Sequence, residues 1–295
     1  MLIQIGYDIG FTLPAPAEAL FLLSVHPTCQ ARLLRPESLE IHPHVAFTTH
    51  VDTYGNRCGR ARLPAGAVRF TNRAIIEDDG LPDSVDLAAR QHAISELPAA
   101  VLPFLLSSRY CEVDSELADV AWGLFGPVPE GWARVQAICT FVHQHLRFDY
   151  MQACATRTAV QGYREKVGVC RDFMHLAIAL CRCLNIPARY ATGYLGDIGV
   201  PAVPCPMDFS AWFQVFLGNR WWTFDARHNR RRVGRVLMAV GRDAADAALT
   251  TIFGRNALTR FVVETEEMSA QAEAAERRTN FQAIQPRARL STAHA

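Results

Sequence analysis

Apolar residues recur at Phe173, Leu176, Ala177, Leu180, Cys181 and Leu184. Spacings of three and four place them on one face of an α-helix. Cys170 stands where that stripe begins, directly after Val167-Gly168-Val169, and Asn185-Ile186-Pro187 supplies the stop. A second stripe of Val135, Ile138, Val142 and Leu146 predicts a helix over 132–146. Between the two helices, 152–166 reads as a polar loop. Residues 188–195 read as a strand. Then Ser210–Leu217 and Arg220–Ala226 flank Gly218-Asn219, two residues of the kind that close a tight β-hairpin.

The first 110 residues carry a different pattern. Residues 2–9 alternate loosely, 45–51 and 66–77 read as strands, and Asp52–Arg57 between them is rich in turn formers. The run 18–23 is apolar but too short for periodicity to separate strand from helix. Short strands at such spacing predict a sandwich. Prolines 98, 103, 127 and 129 punctuate a crossing into a second domain. From about Glu264 the chain turns alanine-rich and charged; 266–278 could form a helix, and the end from about 280 is expected to be disordered.

Composition narrows the function. The 295 residues are 50% hydrophobic and 20% charged, enough for a sizeable core. Lys+Arg 30 against Asp+Glu 29 gives a net charge of +1, so no nucleic-acid or anionic-membrane partner is implied. No apolar run is long enough to span a bilayer, and the first residues do not read as a secretory signal. Nine cysteines, an odd count without a disulfide-framework spacing, suggest free thiols in a reducing cytoplasm. Cys181-x-Cys183 has the wrong spacing for a zinc knuckle, and His26, His42, His44 and His50 lack companion ligands, so no metal is expected.

The candidate chemistry centres on Cys170. A thiol at a helix start lies near unpaired N–H groups and the positive end of the dipole, which favours thiolate, the nucleophilic form. Symmetric pairing about Gly218-Asn219 sets residue 212 opposite 225 and 210 opposite 227. Positions 210 and 225 then become diagonal neighbours about 7 Å apart, a geometry suited to a base oriented by a carboxylate. On the same pairing Trp212 and Trp221 share the face of Asp225. His175, five residues past Cys170, lies about 140° round the helix and reads as a packing residue.

Gly168-Val169-Cys170-Arg171-Asp172-Phe173, Ile186-Pro187-Ala188-Arg189-Tyr190, Gly193-Tyr194, Ala211-Trp212-Phe213 and Trp222-Thr223-Phe224-Asp225 together resemble the transglutaminase-like superfamily, of the bacterial cysteine-protease-like kind. The resemblance covers about 130–230, and the β-rich half resembles the N-terminal region that accompanies this core in bacteria. It implies an α+β protein: a sandwich-like domain over 1–110, a papain-like core over 111–263 with the Cys helix on an antiparallel sheet, and a partly disordered tail over 264–295. It also implies peptide or amide hydrolysis, or acyl transfer to an amine, on a peptide or protein substrate. Cys170 matches the family nucleophile and Asp225 the family aspartate. No cofactor is implied, and the calcium used by some distant relatives has no acidic loop here.

The family histidine stands immediately before Ala-Trp, where this chain has Ser210. A hydroxyl cannot accept a proton near neutral pH as imidazole does. His228 could take over if the chain turns after Asp225. Asp208, two residues before Ser210, would make the cluster acidic and oppose thiolate formation. The oxyanion would rest on the Cys170 N–H and a second, unassigned donor. The basic run 227–235 is either a solvated turn or an anion-binding rim beside the cleft, and Asp243 and Asp246 could pair with its arginines. Two readings stay open: a cytoplasmic thiol hydrolase, or a silent module that keeps the cleft to bind a peptide or protein.

Overall fold

The structure is a computed structural model that describes residues 1–202 and 207–284. The first half supplies seven strands: β1 (Leu2–Leu13), β2 (Ala17–Phe21), β3 (Leu33–Arg35), β4 (Glu40–His42), β5 (Thr48–Val51), β6 (Arg57–Leu63) and β7 (Gly66–Glu77). Helices α1 (Leu117–Phe125), α2 (Trp132–His145) and α3 (Ala159–Glu165) follow, with the short strands β8 (Arg147–Phe148) and β9 (Val167–Gly168) flanking α3. Next come α4 (Cys170–Cys183), β10 (Ala188–Tyr194), β11 (Ser210–Leu217), β12 (Arg220–Phe224) and β13 (Val236–Gly241). The chain closes with β14 (Thr250–Ile252), β15 (Ala257–Glu267) and α5 (Ala270–Ile284).

Two antiparallel sheets form the expected sandwich. One runs β15-β1-β7-β3 with β4 also on β7, the other β14-β2-β6-β5. Alternating side chains of both, such as Ile5, Ile9, Phe21, Leu63 and Phe70, meet in one buried cluster, as period-two strands require. The run left open at 18–23 is therefore a strand. The sandwich also draws on the far end of the chain. Val263 pairs with Tyr7 and Glu264 with Gly6, so the expected boundary between 263 and 264 falls inside a strand, and the helix expected over 266–278 starts at Ala270 instead. From residue 285 on, the expected disordered end lies outside the described residues.

The second half is a sheet of order β12-β11-β10-β13 with α4 packed on β10 and β11. Residues Asp172 to Cys183 of α4 are buried on every side, because α1, α2 and α3 cover the helix face that the sheet leaves. Neither α1 nor α3 was expected; α3 occupies part of the loop read over 152–166. Its Thr158 N-cap accepts from Gln161 N, and Gln161 reaches back to Thr158 N, a capping box that holds this short helix. Burial of Arg182 at 1% exposure is the cost of that enclosure. Its guanidinium is satisfied by the carbonyls of Ala188, Leu106 and Arg242 and by Ser108 Oγ.

The hairpin forms in the expected register, Leu217 opposite Arg220 and Phe213 opposite Phe224. Gly218 and Asn219 both have positive φ, 55° and 65°, the conformation that matches a two-residue turn to strand twist. The ladder ends at Phe224, however. Gly193 in β10 allows a close approach of the sheet: a Cβ there would lie 2.0 Å from Val236 O.

Candidate functional site

Cys170 opens α4, and its position is fixed from behind. The Asp172 carboxylate, 1% exposed, accepts from Val169 N at 2.9 Å and from the Arg157 guanidinium at 3.1 Å. It thereby ties off an orphan donor at the helix start. Cys170 lines a cavity of about 250 Å³ with Tyr190 and Thr192 of β10, Asp208, Phe209, Ser210 and Ala211 at the start of β11, and a wall from Ala244 to Thr250.

The helix start does not make the thiol acidic. Burial is the largest influence and pushes the Cys170 thiol up to about 11; the Asp208 charge adds to it. The Arg227 guanidinium and the N–H groups of Ala211 and Arg171, which face the sulfur, act the other way without overcoming it. Desolvation thus works against the thiolate that the helix start favours, and the Asp208 charge opposes it as expected. The cavity wall at 244–250 is remote in sequence from Cys170. The Ala211 N–H is a donor that sequence reasoning did not assign.

Ser210 is buried at 6% exposure, and Thr192 Oγ1 donates to its carbonyl at 3.0 Å. The expected Ser210–Asp225 diagonal lies beyond the last ladder pair, Phe213 opposite Phe224. Past Phe224 the chain turns through 225–229, with Asn229 N donating to Asp225 O, and the Asp225 carboxylate is taken up within that turn. His228 Nδ1 donates to Oδ2 at 2.8 Å, His228 N and Arg227 N donate to Oδ1 at 2.9 and 3.1 Å, and Arg235 Nη2 donates to Oδ2 at 2.8 Å. Burial alone would raise this carboxyl. Arg235 and the ring and N–H of His228 outweigh it and hold Asp225 well below the usual carboxylate range. A carboxylate only accepts, so the proton of a neutral His228 sits on Nδ1 and the basic lone pair on Nε2.

His228 lines a second, larger cavity of about 930 Å³, with Phe148, Tyr150, Arg227, Arg230 and Glu267 among its walls. The two cavities share Asp208, Phe209 and Ser210. Ser210 therefore lines both the cavity of Cys170 and that of His228.

The basic run is partly paired and partly at the cleft, with Arg227, Arg230 and Arg232 lining the larger cavity. Arg235 is buried between Asp225 and Asp83, Arg232 faces Asp197 at 3.7 Å, and Arg227 lies over the Phe148 ring at 3.8 Å. Asp246 pairs with Arg242 instead of that run, and Asp243 accepts from Tyr110 N and Ala245 N. Trp212 lies by Arg235, 5.0 Å from its guanidinium carbon, whereas Trp221 packs on Phe104 and Phe216. His175 is a packing residue as expected: its Nε2 accepts from Ala244 N at 3.2 Å, its ring stacks on Tyr110, and burial keeps it neutral with a pKa well below the usual imidazole value. His26 is buried against Thr28, while His42, His44 and His50 are exposed. Among the described residues there is no group of side chains that could hold a metal ion, and no helix is long and apolar enough to cross a membrane.

Residues 123–226 match the model of the transglutaminase-like superfamily. A crystal structure from Cytophaga hutchinsonii, described as a "putative cysteine protease", is 31% identical, covers 92% of this chain and 91% of its own, and superposes with a TM-score of 0.78. An uncharacterised protein of Mycobacterium leprae is 34% identical over 84 residues; this chain spans 28% of itself and 30% of that protein in the match.

Proposed function

The chain belongs to the transglutaminase-like superfamily, and on that footing we propose that it is a thiol hydrolase cleaving peptide or amide bonds through Cys170. One observation carries the reading. Cys170 opens the buried helix at a cavity wall, its sulfur faced by the N–H groups of Arg171 and Ala211, beside a groove that holds a hydrogen-bonded Asp225–His228 pair. Attack of the sulfur on a carbonyl carbon would give an acyl-enzyme, and oriented N–H donors near that sulfur can stabilise the developing oxyanion. The larger groove offers aromatic and charged walls to a peptide chain. All eight described cysteines are unpaired, which supports a reducing setting such as the cytoplasm.

A second reading is favoured by Ser210 at the family's histidine position and by the raised thiol: a catalytically silent module that binds peptide. Incubation of the protein and of Cys170→Ala with a mixed peptide digest, read by mass spectrometry, separates the two. New termini from the wild type alone support hydrolysis. Uncut peptides that both proteins retain support the binding module.

A further inference from the structure

A thiol that burial holds protonated needs a proton acceptor, and neither expected group supplies one within its cavity. Ser210 has no useful basicity, and His228, whose basic lone pair is on Nε2, lines the neighbouring cavity and is not among the residues lining this one. Among the residues lining the Cys170 cavity, three titrate: Cys170, Tyr190 and Asp208. Burial pushes the Tyr190 phenol well up, so it keeps its proton. Asp208 remains. It lines both cavities, so it stands where the thiol and a substrate in the groove would meet.

We infer that Asp208 carries the proton that Ser210 cannot, taking it from the Cys170 thiol as the sulfur attacks and returning it to the leaving nitrogen. This rests on the hydrolase reading above. The S–H proton moves to the Asp208 carboxylate while the S–C bond forms and the carbonyl electrons pass to oxygen. The C–N bond then breaks as the carboxylic acid protonates nitrogen. Water next attacks the thioester, gives its proton to Asp208, and the C–S bond breaks with that proton returning to sulfur.

The charges suit this arrangement. A Cys–His pair becomes two opposite charges on proton transfer, whereas a Cys–Asp pair keeps one negative charge throughout. Arg227 acts on both groups and supplies the counter-cation. While Asp208 is ionised, it opposes ionisation of the thiol, so the two share a single proton. Burial also raises the Asp208 carboxyl, against the Phe209 N–H and Arg227, which brings its proton affinity closer to that of the sulfur. The other titratable groups facing the pair are Tyr150, beside Arg227, and Tyr190.

The test compares two reactions of the full chain: turnover of p-nitrophenyl acetate and alkylation of Cys170 by iodoacetamide at pH 8. Asp208→Asn should lower ester turnover by about 10²–10⁴-fold, the usual weight of general acid–base work. It should at the same time speed alkylation, because a negative charge next to the thiol is gone. Asp208→Glu should recover part of the turnover. Wild-type ester turnover in Asp208→Asn overturns the inference, and so does slowing of both reactions together. Cys170→Ala keeps the two claims apart. If it turns over like the wild type, the hydrolase reading falls and this inference with it. If it is dead while Asp208→Asn is fully active, only the role of Asp208 falls.

Discussion

Asp225 and His228 are joined twice within one turn: the imidazole Nδ1 donates to one carboxylate oxygen at 2.8 Å, and the backbone N–H of His228 donates to the other at 2.9 Å. Arg235 closes the group from below and is itself held by Asp83. The turn that follows the hairpin thus satisfies a buried carboxylate with its own donors.

Asp225→Asn should destabilise the protein by about 3 kcal/mol at pH 7, the low end for breaking a buried pair, since Asp83 still compensates Arg235. The pH dependence has a definite sign. The folded-state pKa of Asp225 is depressed below the unfolded value of about 3.9. Its contribution is therefore complete above that value and is lost as pH falls through the folded one. Denaturant unfolding at pH 7 and pH 3 should show a smaller acid loss in Asp225→Asn than in the wild type.

Of the two partly exposed thiols, Cys154 should label before Cys170. Hydrogen bonds from Thr156 lower the Cys154 thiol, whereas burial raises Cys170 to about 11. At pH 8 Cys170 should therefore be mostly thiol. Peptide mapping after brief iodoacetamide treatment should find Cys154 modified first, with the Cys170 rate still climbing above pH 9.

Ser210→His restores an imidazole between Cys170 and the larger groove. Cys170-dependent turnover of an ester should rise by about 10²–10⁴-fold, and the onset of thiol alkylation should move toward neutral pH. Because Ser210 is buried, the larger ring should also cost about 1–3 kcal/mol of stability, measurable as a lower Tm.

Gly193→Ala should be among the most damaging small changes in the core. Its new Cβ would meet Val236 O at 2.0 Å and Met238 N at 3.0 Å, both backbone. The strand pair carrying Thr192 and the Cys170 cavity must part to admit it. A stability loss of about 1–3 kcal/mol or more is expected, together with slower ester turnover at temperatures where the variant remains folded.

What could be read from the sequence was local. Gly218-Asn219 fixed the hairpin because two residues with positive φ leave one register, and the helix after Cys170 showed in its apolar stripe and its Asn185-Ile186-Pro187 stop. The site failed to show wherever distant segments meet. Asp225 is held by Arg235 and His228 in a turn that begins where the ladder stops at Phe224. The cavity that Cys170 lines is completed by a wall 74 to 80 residues downstream, Ala244 to Thr250, which no local pattern around Cys170 records. The return of β15 to β1 depends on pairing across nearly the whole chain, which no local pattern records.

The central claim is that Cys170 becomes acylated during turnover. Acid-quenching the protein during p-nitrophenyl acetate turnover and mapping the acetyl group by peptide mass spectrometry tests it directly. The account predicts one acetyl group on the peptide containing Cys170, absent from Cys170→Ala, which no longer turns over the ester. Continued turnover with Cys170 unmodified, or with the acetyl group on another residue, would contradict it.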